Sequence, residues 1–504
     1  MKFPKRITAI VLCLAFFMSF AIISSAEADT EYTITNPYED VDFSSVNQYK
    51  ADLHSHTTAT DAYMTMKENI ERHYMYGYDI LAISDHGTTD YGWTTPNYIG
   101  SIRLVYFLLK GYDIEGIDES GTAANGNSYT YVETDDGDYY TQTTSDGETL
   151  QSMLRVPYAI ENNPTSLNNA HVNSWFVDYG NGLLGGTSDY VTPIMNVDEL
   201  GGLSVINHPG EYTEARDEVY TSSAYNKLNP WYWYVISKYE DLLLSYDSLL
   251  GIDINSKGDY RTRFDRKLWD ILLEDLTPYG RNVYALATSD AHNLYIVNSG
   301  YTIMLMEENT VDELYDAMSS GHFFAASRYI GNVDELEIYA AALALSGNSD
   351  AKSLADDMLE TIELIYEQID EEGEQNDVFV FDEDESNAVI TDIVVDDTLD
   401  TITISATGAL YIRWISNGET VAEGNTISLT DCEGIGTYVR AEIISMGGII
   451  YTQAFILEYD DADEGVDLSN FIDFSGIVTV IVDTLLKIIS LFDNVFDAIY
   501  SLIA

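Results

Sequence analysis

Residues 51–330 alternate short apolar runs with longer segments whose apolar positions recur every three or four residues. A short run around Leu53 predicts a strand, residues 66–74 predict a helix, and Gly77 ends it before a second strand at 80–83. Strand, helix and strand at this spacing predict a parallel βαβ unit. Further strands are expected at 156–161, 203–206, 249–254, 283–288 and 301–306, with helices at 266–276 and 311–318. Residues 112–150 break the alternation. They are rich in Gly, Ser, Thr, Asp and Tyr and poor in aliphatics, which predicts an inserted hairpin or lid over a site and not a core element.

Beyond residue 330 the pattern changes twice. Residues 351–371 carry a long acidic helical repeat, so 331–388 is expected as an acidic helical linker with a solvated face. Between 389 and 460, alternating runs such as Thr401-Ile402-Thr403-Ile404 predict an all-β module. Trp414 and Gly436-Thr437-Tyr438 suggest a small sandwich, although the paired cysteines of an immunoglobulin-like domain are missing. In 466–504, Asp483, Lys487, Ser490, Asn494, Asp497 and Ser501 are spaced by three or four and fall on one stripe of an amphipathic helix. No apolar stretch of that tail approaches the roughly 20 residues of a membrane span, so docking or self-association is expected of it.

The first 28 residues have a basic start, an apolar run over 7–23 and the exit Ala26-Glu27-Ala28. That is the form of a secretory signal peptide cut near Ala28, with an uncleaved anchor as the alternative. A polar lead-in, 29–50, follows. The chain has 84 acidic and 23 basic residues, a net charge of -61; removing 1–28 takes away three bases and one acid and leaves -63. Such a charge repels nucleic-acid phosphates, which argues against duplex nucleic acid as a partner. Cys13 leaves with the leader, so Cys432 has no partner for an intramolecular disulfide.

Chemistry gathers at the predicted strand ends. Two residues apart on a strand, His54 and His56 share a face. The chain holds eight histidines, and six of them (His54, His56, His86, His171, His208, His292) fall at strand ends together with Asp61, Glu161 and Asp290. Imidazole mixed with carboxylate suits Zn, Mn or Fe. The other two, His73 and His322, lie in helix-like contexts and read as surface or packing residues. Asp52 and Asp85 flank ligand candidates and would either orient a ring nitrogen or cap a turn. Arg328, after the last helix, is a candidate phosphate clamp or a surface ion pair.

Four motifs carry seven of the nine candidates in order, with Glu161 and His171 isolated between the second and third: Asp52-Leu53-His54-Ser55-His56-Thr57 with Asp61, Ala82-Ile83-Ser84-Asp85-His86, Asn207-His208-Pro209, and Ser289-Asp290-Ala291-His292. Over residues 51–330 they resemble the PHP (polymerase and histidinol phosphatase) family of metal-dependent phosphoesterases. The resemblance implies an α/β fold, a distorted (β/α)7 TIM-like barrel, holding two or three divalent ions. His54, His56, Glu161 and Asp290 would hold the first; Glu161 would bridge to a second with His171 and His208; Asp61, His86 and His292 would hold the third. It further implies phosphoester hydrolysis through a metal-bridging hydroxide; the acidic charge points to a small phosphomonoester or short phosphodiester, and Asp290, His292 and Glu161, with Arg328 as the clamp candidate, form the expected catalytic set. Clustered dications neutralise the phosphate and acidify a bound water. Two other readings stand beside this one. A metal hydrolase of a carbon–nitrogen bond would want a lysine at a strand end, and the nearby candidate, Lys257, sits beside Gly258 in an expected loop. A surface binding protein would use the β module and leave the barrel as scaffold.

Overall fold

The computed structural model describes residues 32–94, 115–162, 170–182 and 190–459. The predicted leader 1–28 and amphipathic tail 466–504 lie outside the described residues, as do 112–114 of the insertion. The expected βαβ start is present. Strand Asn47–Asp52 is followed by helix Met66–Met75 and by strand Ile80–Leu81, which pairs parallel to the first. Thr65 and Glu68 close a reciprocal capping box at the helix start, and Gly77, at φ 72°, takes the left-handed turn that releases the chain into the strand.

Two sheets carry the site. One is a run of five strands in the order Tyr284–Ala287, Leu249–Asn255, Leu203–Ile206, Val172–Trp175 and Ile160–Asn162. The first three are mutually parallel, and Val172–Trp175 runs antiparallel to both of its neighbours. The other is a 14-stranded sheet that contains Asn47–Asp52 and Ile80–Leu81. The sheets do not merge into one closed ladder. They meet through isolated parallel bridges, Ser55 with Ala291 and His86 with Glu161. Ile80–Leu81 is short and gives its other edge to Thr149–Arg155, so only single bonds remain to reach across. His56 N donates to Ala291 O at 3.1 Å and Gly87 N to Glu161 O at 2.9 Å.

The large sheet corrects two expectations. Residues 115–150 are not set apart from the core. Strands Ser120–Thr122, Ser128–Glu133 and Asp138–Thr143 form an antiparallel meander that continues the sheet from Thr149–Arg155. Tyr129, Tyr131 and Tyr140 are buried there with Trp93, so large tyrosines supply the apolar face that the missing aliphatics would have provided. Nor is 389–460 a separate sandwich. Strand Phe323–Ser327 is buried throughout, and the edge it would leave open is paired by Ile449–Tyr451. Tyr438–Ile444 and Phe455–Tyr459 extend that pairing as far as Tyr32–Thr35 near the start of the described chain. Among the described residues of the region, only Val389–Asp396, Thr401–Thr407 and Thr426–Ser428 form a sheet of their own.

The acidic linker is a helical hairpin, Val333–Leu345 and Ser349–Glu372, started by Asn332 and Asn348 caps. Leu354, Met358, Ile362 and Ile365, spaced by three or four, turn into a core shared with Leu336, Tyr339 and Trp269. Its acidic residues take the other face. The solvated face was legible; the packed one makes this segment part of the body.

Candidate metal centre

The candidate ligands reach the centre from strand ends, from one strand start and from the loops that follow. His208 follows Leu203–Ile206, and Asp290 follows Tyr284–Ala287. His171 precedes Val172–Trp175, but that strand is antiparallel, so its start lies beside its neighbours' ends. Glu161, in Ile160–Asn162, is opposite Asn173 in the same ladder. His208 and Asp290 take positive φ, 27° and 43°, a conformation costing about 1–3 kcal/mol that persists where surrounding contacts impose it.

Glu161 is the hub. Its Oε1 lies 2.7 Å from His171 Nδ1 and 3.3 Å from His208 Nε2. Its Oε2 lies 2.6 Å from His86 Nδ1, 3.3 Å from His56 Nε2 and 3.5 Å from His54 Nε2. Asn207 Nδ2 donates to Oε1 at 2.9 Å and fixes the carboxylate's orientation. Asp290 Oδ1 is 3.1 Å from His56 Nε2 and 3.4 Å from His54 Nε2, while its Oδ2 is 3.4 Å from His208 Nε2. Asp61 stands between His86 at 3.2 Å and His292 at 3.3 Å. All nine predicted side chains are therefore in one cluster.

The electrostatics match the geometry. Burial pushes the carboxyls of Glu161 and Asp290 up, but the surrounding imidazoles, with Lys257 beside Asp290, outweigh it and hold both well below the usual range. His171 goes down to about 4 because burial disfavours its charged form, even with Glu161 beside it. Burial and His86 work against a charged His56, yet Asp290 and Glu161 lift it to about 9.

Donor atoms from these side chains converge in four groups, with the atoms of each group within 4.8 Å of one another: His56, Asp61, His86 and His292; His54, His56 and Asp290; His54, Glu161 and His208; His86, Glu161 and His171. Among the described residues, His54 Nδ1, His56 Nδ1 and His208 Nδ1 are buried without a hydrogen-bond partner, and the carboxylate oxygens of Glu161 and Asp290 face several imidazoles at once with few well-aligned hydrogen bonds. Buried polar atoms are rarely left so, and a concentration of them on imidazoles and carboxylates is what divalent cations would satisfy. The donor set fits the ions that the motifs imply. His54, His56 and His86, besides the bridging Glu161, each belong to two groups, so the division into three separate ligand sets is less sharp than expected.

The flanking carboxylates do other work. Asp52 accepts from His54 N at 3.1 Å and Ser289 N at 3.2 Å and lies 2.8 Å from His73 Nε2, tying the first motif to the fourth. His73 is thus a buried partner of Asp52 and not a surface residue. Asp85 accepts from Thr57 N, Thr57 Oγ1 and Thr60 Oγ1 at 2.9, 2.6 and 2.6 Å, which folds the Thr-rich loop and carries Asp61 into place. Arg328 is corrected. It is buried and donates to the carbonyls of Asp382 and Glu385 at 2.8 and 2.9 Å, fastening that loop to the sheet and leaving no clamp at the centre.

Three contributors, Glu211, Arg261 and Tyr212, escaped the sequence pattern, and a fourth, Lys257, was considered only for a carbon–nitrogen hydrolase and set aside as a loop residue. Lys257 Nζ lies 2.6 Å from Glu211 Oε2 and 3.0 Å from Asp290 Oδ2. Arg261 pairs with the other oxygen of Glu211. Tyr212 lies over His171, ring centroids 4.3 Å apart. The available signal was that Lys257 comes two residues after Leu249–Asn255, where the other strands place their ligands; Gly258 masked it.

No family model matches the chain, and no curated protein matches it. Among solved structures it is similar to a two-domain protein from Bacteroides vulgatus containing a predicted PHP-like metal-dependent phosphoesterase. That likeness has 12% identity and a TM-score of 0.35, covering 86% of this chain and 91% of that one. An amidohydrolase from Chromobacterium violaceum, with bound sulfate and no metal, gives 13% identity and a TM-score of 0.24 over 48% of this chain and 87% of its own. It is by its four motifs, which carry seven of the nine clustered side chains, that the chain is similar to the PHP metal-dependent phosphoesterases; Glu161 and His171 lie between the second and third motifs.

Proposed function

We propose that this protein is an exported metal-dependent phosphoesterase acting on a small phosphomonoester or short phosphodiester. The observation that carries the reading is the convergence of nine buried or half-buried donors, Glu161 at their centre, in four overlapping groups. Divalent ions bound there, Mn, Zn or Fe, supply charge neutralisation at the phosphate and a water acidic enough to react near neutral pH. The chain's own groups do the rest. Asn207 holds Glu161 in orientation. Lys257 brings an ammonium against Asp290, and Arg261 a half-exposed guanidinium beside it. These cations, inside a chain of net charge -61, attract a phosphate dianion where the surrounding surface repels one. Asp61 and His292, 28% and 23% exposed, are the most open of the nine, which puts substrate access and leaving-group protonation on their side. The basic, apolar and small-residue pattern of 1–28 supports export. The tail 466–504 is proposed to serve self-association or surface attachment.

Lys257 also revives the carbon–nitrogen hydrolase reading, since a lysine does stand at the site. Its ammonium is paired with two carboxylates, however, which suits a charge partner better than a metal ligand. One experiment separates them. Residues 29–504 are assayed on p-nitrophenyl phosphate and bis(p-nitrophenyl) phosphate with Mn or Zn, with a chelator, and with Asp290→Ala. Metal-dependent cleavage lost in the variant supports the phosphoesterase. Protein holding two or more ions yet inert to both esters would sink it in favour of the non-phosphate hydrolase.

A further inference from the structure

Lys257, Gly258 and Asp259 have φ values of 50°, 66° and 56°. Three left-handed residues in succession, two of them with a Cβ, form a segment that a free chain leaves, so contacts from outside must impose it. Those contacts converge on the fully buried carboxylate of Asp259. Arg266 donates to its two oxygens, Nη1 at 3.1 Å and Nη2 at 2.8 Å. Gly331 N donates at 2.7 Å and Thr262 Oγ1 at 3.2 Å. A Cβ at Gly331 would run into the Asp259 carbonyl, so the two backbones touch there.

Arg266 is itself fixed. It is 1% exposed, and its Nε donates to Glu335 Oε2 at 2.8 Å. One turn along the same helix, Asp270 accepts from Arg440 of strand Tyr438–Ile444 at 2.7 and 2.8 Å. The helix thus joins the helical hairpin and the C-terminal strands to the loop at the metal centre. At the loop's other end, Lys257 N donates to Ser289 O at 3.2 Å, next to Asp290, whose carboxylate the ammonium meets. Buried ion pairs are weak sources of net stability but fix geometry well.

We infer that Asp259 is a positioning residue: through Arg266 it locks the left-handed segment that presents the Lys257 ammonium to Asp290 and to the substrate's phosphate. The substrate half of this statement rests on the phosphoesterase reading; the placement of the ammonium does not.

Asp259→Asn keeps the shape of the side chain and removes its charge toward Arg266. Acetic anhydride labelling of the metal-loaded protein, read by mass spectrometry, reports the freedom of the Lys257 amine against that of half-exposed Lys67 in the same sample. The Lys257 to Lys67 labelling ratio rises about tenfold in the variant, the factor carried by one lost hydrogen bond between charged groups. KM for p-nitrophenyl phosphate rises with it while kcat and metal content hold, whereas simple misfolding would lower kcat and leave KM alone. An unchanged labelling ratio overturns the inference. A raised ratio in a protein whose wild type hydrolyses neither ester supports the positioning and overturns the phosphoesterase reading. Should Asp259→Asn fail to fold, Thr262→Val is read in the same way. It removes the hydroxyl that joins Asp259 to Ser256, and again a rise supports the inference and no change overturns it.

Discussion

Glu161→Gln is the perturbation to make first, because Glu161 belongs to two of the four donor groups. The amide is nearly isosteric, so the change removes one negative charge and one donor oxygen and leaves the strand Ile160–Asn162 intact. Loss of a residue that merely supports a ligand weakens metal affinity about 10–100-fold, and loss of a ligand falls at or beyond the upper end. A factor of about 100 is about 2.8 kcal/mol at 1.4 kcal/mol per factor of ten. Both groups that share Glu161 would bear it, whereas Asp61→Asn touches one. Ions that bind only the folded state stabilise it by mass action, so weaker binding also shrinks the rise in Tm that added metal produces. The assay is elemental analysis after dialysis, paired with thermal unfolding with and without manganese or zinc. Glu161→Gln is expected to lose more metal than Asp61→Asn and to show the smaller Tm rise. Wild-type metal content and a wild-type Tm response in Glu161→Gln would refute the placing of Glu161 at the hub.

Other outcomes follow from single contacts. Lys257→Met removes the ammonium beside Asp290 without touching a donor atom, so metal content stays and KM for a phosphomonoester rises about tenfold, as steady-state kinetics and elemental analysis would show. Arg328→Met leaves KM unchanged and costs about 1–3 kcal/mol in denaturant unfolding, since two loop carbonyls lose their donor; a raised KM would restore the clamp. Glu442 is raised by burial, but Arg413 and Arg440 outweigh that and bring it to about 2 from 4.5. A carboxyl whose folded value is the lower one contributes stability above pH about 4.5 and loses it as pH falls toward 2. Glu442→Gln therefore lowers Tm at neutral pH and flattens that part of the acid decline, which parallel Tm profiles of the two proteins would reveal; parallel slopes for both would count against the pairing.

The chain's local pattern carried what is local. Period-two and period-three-to-four spacing placed the strands and helices that end at the centre, and strand alternation put His54 and His56 on one face. Nine ligand candidates were legible because a strand end fixes which side chains face inward. The place of Lys257 was legible only as a loop candidate, because its left-handed segment is turned toward Asp290 by contacts from Asp259, Arg266 and Gly331. His73 looked ordinary because its partner, Asp52, is 21 residues away. Arg328 looked free because the carbonyls that hold it come more than fifty residues later. The strands beyond 389 announced their alternation but not their partners. Pairing is made by backbone groups that every residue carries, so side-chain pattern does not specify which edge a strand will join. By itself the sequence determined many of the helices and strands, the candidate donors and the net negative charge. Tertiary structure alone decided that the β region completes the main sheet, and that Asp270 and Arg440, 170 residues apart, meet in its interior, because buried edges and buried charges are satisfied only by whatever the fold brings to them.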